Sequence, residues 1–300
     1  MLSPVAGRLR RIGIARRAAL LGASLLAAAC AKGPRVELVT PAAARVRVGQ
    51  IDRVALETAI TSAPPGLRER TEYLVDLLWQ AGCVAVEMPR PGESRTPDVV
   101  CSLPGRTTQR ILVLAHLDRE VDENGVPRHW SGSAILPFLY RALGVEEREH
   151  SFEFAACGKG PRGRARNHTT RLGSPLGEDL RAIVEIQDLD PATIGFSSTD
   201  PGLGQGFVAT SLAVGRPLDS LRPFTHRLLR NRRMRIPTLV IVSPSRSGAR
   251  EELPAVSAPR DAGPEGYHSA ARLVAAYLGY LDETLRLRVR APAPAGIGER

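Results

Sequence analysis

Residues 111–115 read I-L-V-L-A, five apolar residues in a row between Arg110 and His116. A run that does not alternate fits a strand covered on both faces, so the chain needs packing layers on each side of a sheet. The neighbouring patterns supply candidates. Ser62 is placed to cap a helix opened by Pro64 and Pro65, with Leu67, Leu74, Leu77, Leu78 and Ala81 on one face and Gly82 as the stop. Strand patterns at 83–88, 98–103, 152–157, 182–187, 194–198 and 238–243 are interleaved with helical ones at 131–143, near 204–214, at 218–232 and at 265–285. Alternation of this kind predicts an α/β fold, a three-layer α/β/α sandwich around a mixed, mostly parallel sheet.

The 300 residues are 43% apolar, enough for a sizeable core. The first 29 residues carry Arg8, Arg10, Arg11, Arg16 and Arg17 and no acid, so half of the formal excess of +10 belongs to this segment. The arginines precede an apolar run from Ala18 to Ala29 and then Cys30, the layout of a secretory signal. L-L-A-A-A-C resembles a bacterial lipobox, whose cysteine is lipidated; ordinary cleavage after A-x-A is the other reading, and Arg16-Arg17 loosely resembles a twin-arginine signal. The expectation is an exported bacterial lipoprotein on the periplasmic face of a membrane or at the cell surface. Residues 1–29 are its signal peptide, 30–50 the lipidated cysteine and tether, 51–287 one domain and 288–300 a disordered tail. Cys83, Cys101 and Cys157 remain in an oxidising setting, which allows one internal disulfide; Cys83 and Cys101 fall on neighbouring strand patterns.

In an open α/β sheet, sites form at the carboxyl ends of strands, where His116 and Asp118 lie. Glu120, Asp122, Glu123 and His129 crowd the following loop; they read either as a solvated acidic loop or as part of a single-metal site with His116. G-K-G-P-R-G, residues 158–163, has the dinucleotide-binding spacing, but Pro161 and Gly163 break the helix that such a loop requires. The arginine-rich stretch 226–235 reads as a solvated helix face, and no nucleic-acid partner is expected. No G-x-S-x-G elbow or catalytic Cys/His signature is present.

The succession I-L-V-L-A-H-L-D, W-S-G-S-A-I-L-P-F-L-Y-R-A-L, S-F-E-F-A-A-C, R-A-I-V-E-I-Q-D-L and R-I-P-T-L-V-I-V resembles metallopeptidase family 28, over roughly residues 64–285. These are the di-zinc exopeptidases of the aminopeptidase S, aminopeptidase Y and glutaminyl cyclase type. The resemblance implies a zinc exopeptidase-like fold in which two zinc ions act on the substrate and a glutamate takes a proton from water. It matches the first metal ligand to His116 and the accessory aspartate to Asp118.

The remaining motif positions carry other residues. Arg128, followed by His129, stands where the bridging aspartate belongs; Gly160 and Pro161 fall at the Glu-Glu pair that supplies the general base; Gln187 aligns with the fourth ligand, with Asp188 one residue out of register; Ser257 replaces the last histidine. His268, eleven residues further on, falls on the final helix. The expectation is therefore a degenerate, membrane-tethered pseudopeptidase with a binding or scaffold role. It has no cofactor, its remnant pocket is formed by His116, Asp118, Arg128, His129, Gln187, Asp188 and Ser257, and its ligand is a peptide or another anionic group. The alternative is an active zinc-dependent exopeptidase hydrolysing peptides.

Overall fold

The structure, a computed structural model, describes residues 36–37, 48–87, 98–117, 130–158, 179–187, 189, 194–216, 221–223, 236–242 and 265–287. All of them fall within the unit spanning residues 36–288. In chain order the elements are β1 (Val36–Glu37), α1 (Arg53–Thr61), α2 (Leu67–Gln80), β2 (Val86–Glu87), β3 (Asp98–Leu103), β4 (Arg110–Leu117), α3 (Trp130–Ala134) and α4 (Leu136–Leu143). They continue as β5 (Ser151–Gly158), β6 (Leu180–Ile186), β7 (Ile194–Ser198), α5 (Pro201–Ala213), β8 (Leu221–Pro223), β9 (Thr238–Val242), α6 (Glu265–Thr284) and β10 (Arg286–Leu287).

Eight strands form one sheet in the order β2-β3-β5-β4-β6-β9-β7-β8. The β4–β5, β4–β6, β6–β9 and β7–β8 pairs are parallel, and β2–β3, β3–β5 and β7–β9 are antiparallel. The mixed, mostly parallel sheet with helices is the fold expected from the alternation of patterns. The apolar run becomes β4, near the middle of the sheet, and every residue after Arg110 is buried. Ile111, Val113, Ala115 and Leu117 join the main core with side chains from all six described helices, while Leu112 and Leu114 pack with Ala155, Cys157, Leu180 and Ile183 on the opposite face. Burial on both faces is the reason the run lacks alternation. Both outer strands are short, β2 with two residues and β8 with three, the last of them Pro223.

Local chemistry explains where the helices begin. Asp52 caps α1, its Oδ1 accepting from the Ala55 N–H at 3.0 Å. Ser62 ends α1 and does not start α2, whose N-cap is Gly66. The carbonyls of Pro64 and Pro65 instead accept from the guanidinium of Arg70 at 3.0 and 2.8 Å, and Arg70 is among the most buried side chains of the fold. Carbonyl oxygens thus satisfy a buried cation whose desolvation would otherwise oppose folding. The helix expected over 131–143 is divided at Ile135 into α3 and α4. Part of the helix expected over 218–232 is strand β8, because Leu221 and its neighbours pair with β7; the rest lies outside the described residues.

The termini of the unit are tied in. β1 lies inside the stretch read as a tether and pairs antiparallel with β10, just after α6. The Asp282 carboxylate near the end of α6 accepts the backbone N–H groups of Glu149 and His150, at 3.2 and 2.8 Å, where the chain enters β5. Cys83 and Cys101 form a disulfide with Cα atoms 6.3 Å apart, joining the end of α2 to β3. Cys83 precedes β2, and its neighbour Val86 pairs with Cys101. Among the described residues, no helix is long and apolar enough to cross a membrane.

Candidate functional site

His116 lies at the carboxyl end of β4, where an open α/β sheet places its ligand sites. Strand alternation puts its side chain on the face of Leu112 and Leu114, beneath the carboxyl ends of the parallel strands β4, β5 and β6. Its parallel partner on β5 is Cys157, a buried cysteine outside the disulfide. On β6, Glu185 is the partner of Leu114 and so sits one step diagonally from His116. The imidazole Nε2 and Glu185 Oε1 are 2.9 Å apart, and both residues are buried. Gln187, two residues beyond Glu185 on the same face, donates from its side-chain amide to the same oxygen at 2.7 Å.

The start of α3 locks this corner. The Ser133 hydroxyl donates to the His116 carbonyl at 2.6 Å, and Ser131 Oγ accepts the Leu189 N–H at 2.9 Å. Trp130 donates its indole N–H to the Ala59 carbonyl of α1 at 3.0 Å and stacks on Tyr73 with ring centroids 6.1 Å apart. Gly132 lies so close to the end of β6 that a Cβ there would stand 2.5 Å from the Ile186 carbonyl oxygen. The W-S-G-S sequence is thus required for contact between a helix start and two strand ends.

Where Glu185 is the acceptor, the imidazole carries a hydrogen on Nε2, the nitrogen engaged in this bond. The carboxylate oxygen facing it is occupied by two hydrogen bonds. A catalytic zinc takes about three protein ligands besides its open position. Among the described residues there is no group of three His, Cys, Asp or Glu side chains able to hold a metal ion. Gln187, at the expected fourth ligand position, spends its amide on Glu185. Among the described residues, His116, Glu185 and Gln187 in this arrangement do not by themselves make a zinc site. They form instead a buried acceptor flanked by two donors, an imidazole and an amide whose orientations each fixes for the other.

Of the residues expected in the pocket, His116 and Gln187 are brought together. Asp118, Arg128, His129, Asp188 and Ser257 lie outside the described residues, as do Cys30, Glu120, Asp122, Glu123, Gly160, Pro161 and the stretch 226–235. His268 is on α6, on the other side of the sheet, where its Nε2 meets the Ile51 carbonyl at 3.0 Å. Motif alignment missed Glu185, yet the sequence contained a signal for it. An acid inside the apolar run A-I-V-E-I of a strand buried on both faces must have a polar partner.

The fold defines the class: an α/β protein of the zinc exopeptidase and glutaminyl cyclase architecture. No family model and no curated protein matches the sequence. Solved structures match in fold. Porphyromonas gingivalis glutaminyl cyclase is 16% identical with a TM-score of 0.55, covering 78% of this chain and 98% of that one. Legionella pneumophila LapA aminopeptidase is 14% identical with a TM-score of 0.60, covering 79% and 73%. A leucine aminopeptidase precursor from Bacteroides thetaiotaomicron is 13% identical with a TM-score of 0.56, covering 78% and 99%. At such identities the likeness is one of fold.

Proposed function

We propose that this chain is an exopeptidase-like protein that binds a peptide or other anionic ligand at the carboxyl ends of β4 and β6 without hydrolysing it, held at a membrane by lipid on Cys30. The fold neighbours are peptidases and glutaminyl cyclases, which supports a protein of peptidase-like or cyclase-like kind. One observation carries the step from that kind to a binding role: His116, the retained ligand position, is hydrogen bonded to Glu185, with Gln187 on the same oxygen. Engagement of the retained ligand position in a side-chain network, in place of a metal, supports a role other than hydrolysis. The basic residues of the 128–129 segment, Arg128 and His129, supply the charge that favours an anion. The lipid anchor rests on the signal layout ahead of Cys30.

The experiment is zinc titration by calorimetry with metal analysis of the purified protein, joined to aminopeptidase and glutaminyl cyclase assays on a mixed peptide panel with added zinc. The proposal expects substoichiometric zinc and no turnover. Tight stoichiometric zinc with turnover abolished by His116→Ala would overturn it and establish an active zinc exopeptidase. Membrane fractionation of Cys30→Ala tests the anchor separately, the variant being expected to leave the membrane fraction.

A further inference from the structure

Apart from the eight-stranded sheet, β1 and β10 form a small sheet of their own, with Val36 opposite Leu287 and Glu37 opposite Arg286. The two strands are held very differently. β10 follows α6 after one residue, Leu285, which is buried and gives its N–H to the Leu281 carbonyl at 2.8 Å. The end of α6 is itself fixed by Asp282, whose carboxylate accepts the N–H groups of Glu149 and His150. β1 lies beside α5 and pairs with β10 through two residue pairs, a ladder shorter than those that are stable alone. The next described residues along the chain are 48–51, which are tied to the fold independently of β1. There the Gly49 N–H donates to the Ala142 carbonyl at 2.7 Å, and the Ile51 carbonyl meets His268 at 3.0 Å.

The fold thus grips the start of the chain at two places, a weak one at Val36 and a firmer one from Val48. Val36 is six residues beyond Cys30, and Val48 is eighteen beyond it. A fully extended chain spans at most about 3.5 Å per residue, so the first grip allows a reach of about 20 Å and the second about 60 Å.

We propose that the β1–β10 pair is a clasp on the membrane tether. Closed, it keeps the start of the folded unit close to the lipid on Cys30; open, it lengthens the reach about threefold and leaves the eight-stranded sheet intact. The clasp rests on the lipid anchor proposed above, and its pairing is tested apart from that anchor.

The test uses the full lipidated chain in phosphatidylcholine vesicles that carry an acceptor dye at the headgroup. A donor dye is attached through Val54→Cys, a position 73% exposed at the start of α1. Val36→Pro/Glu37→Pro removes both N–H groups of β1 and is expected to open the clasp. The reading is a loss of energy transfer to the bilayer with the thermal transition left in place. Separately, facing Cα atoms of an antiparallel ladder stand about 4.5–5.5 Å apart, within disulfide reach. Oxidation of Val36→Cys/Leu287→Cys is therefore expected to cross-link the two strands, in the Cys30→Ala background as well, where no membrane is needed. Failure to cross-link, or unchanged energy transfer in the proline variant, would overturn the clasp. Cys30→Ala protein that stays with the membrane while the cross-link forms would overturn the anchor and, with it, the control of reach.

Discussion

Ser133 of α3 donates its hydroxyl hydrogen to the main-chain carbonyl of His116, at 2.6 Å. The bond lies one residue beyond Gly132, whose position against the Ile186 and Gln187 carbonyl oxygens leaves no room for a Cβ. A helix start therefore sets the height of two strand ends relative to each other. Gly132→Ala is expected to destabilise the fold by about 1–3 kcal/mol, because the clash is with backbone that cannot rotate away. The gain in helix propensity, up to about 1 kcal/mol, does not offset it. Urea unfolding checks the sign, and the amide shifts of His116 and Gln187 should move with it.

Removing one member of the His116–Glu185 pair has a different cost from replacing it by a neutral look-alike. His116→Ala takes a donor from a buried carboxylate and is expected to lower stability by about 1–3 kcal/mol. Glu185→Gln keeps the shape and a carbonyl acceptor, so its loss should be the smaller of the two. Equal losses in chemical denaturation would overturn this ordering.

The Cys83–Cys101 bond closes a loop with a sequence separation of 18 residues. On the chain-entropy account it contributes about 3 kcal/mol by restricting the unfolded chain. Unfolding with and without a reductant, and of the Cys83→Ser/Cys101→Ser double variant, should give matching losses of that order. Cys157 is buried and should react with thiol reagents only after denaturation.

Tyr277 is fully buried, its hydroxyl donating to the Leu203 carbonyl at 3.1 Å. Burial pushes its pKa well above the ordinary tyrosine value, with smaller contributions from Tyr280 and Asp200. The unfolded chain ionises this group near pH 10 while the folded chain keeps the proton. Its contribution is therefore fully present below about pH 10 and falls as the pH rises beyond that value. Tyr277→Phe should flatten the alkaline decline in stability and cost about 1 kcal/mol near neutrality through the lost hydrogen bond. Denaturation series from about pH 8 to pH 11 separate the two effects.

The parts of the fold read correctly from sequence are those in which a local pattern and tertiary burial agree. The non-alternating run 111–115 forms a central strand because both of its faces are covered, and Ala270, Val274 and Leu278 share one buried helix face. Misreadings arose where a residue suited two jobs. Ser62 is a good N-cap by type but terminates α1, and α1 escaped notice although Asp52 caps it and Leu56 and Ala59 are its buried positions. Leu221 joins a sheet edge where helical spacing suggested a helix. In the site, His116 was legible because it ends an apolar strand in a recognisable motif. Glu185 was not, because its role comes from strand register, which brings residues 69 apart into contact.

The two outermost strands finally bear on how this protein meets others. β2 has two residues, and β8 has three and ends in a proline that lacks an N–H to donate. Among the described residues, each outermost strand presents only a short row of backbone groups. Over those described residues an extended peptide therefore finds only a short template for strand addition.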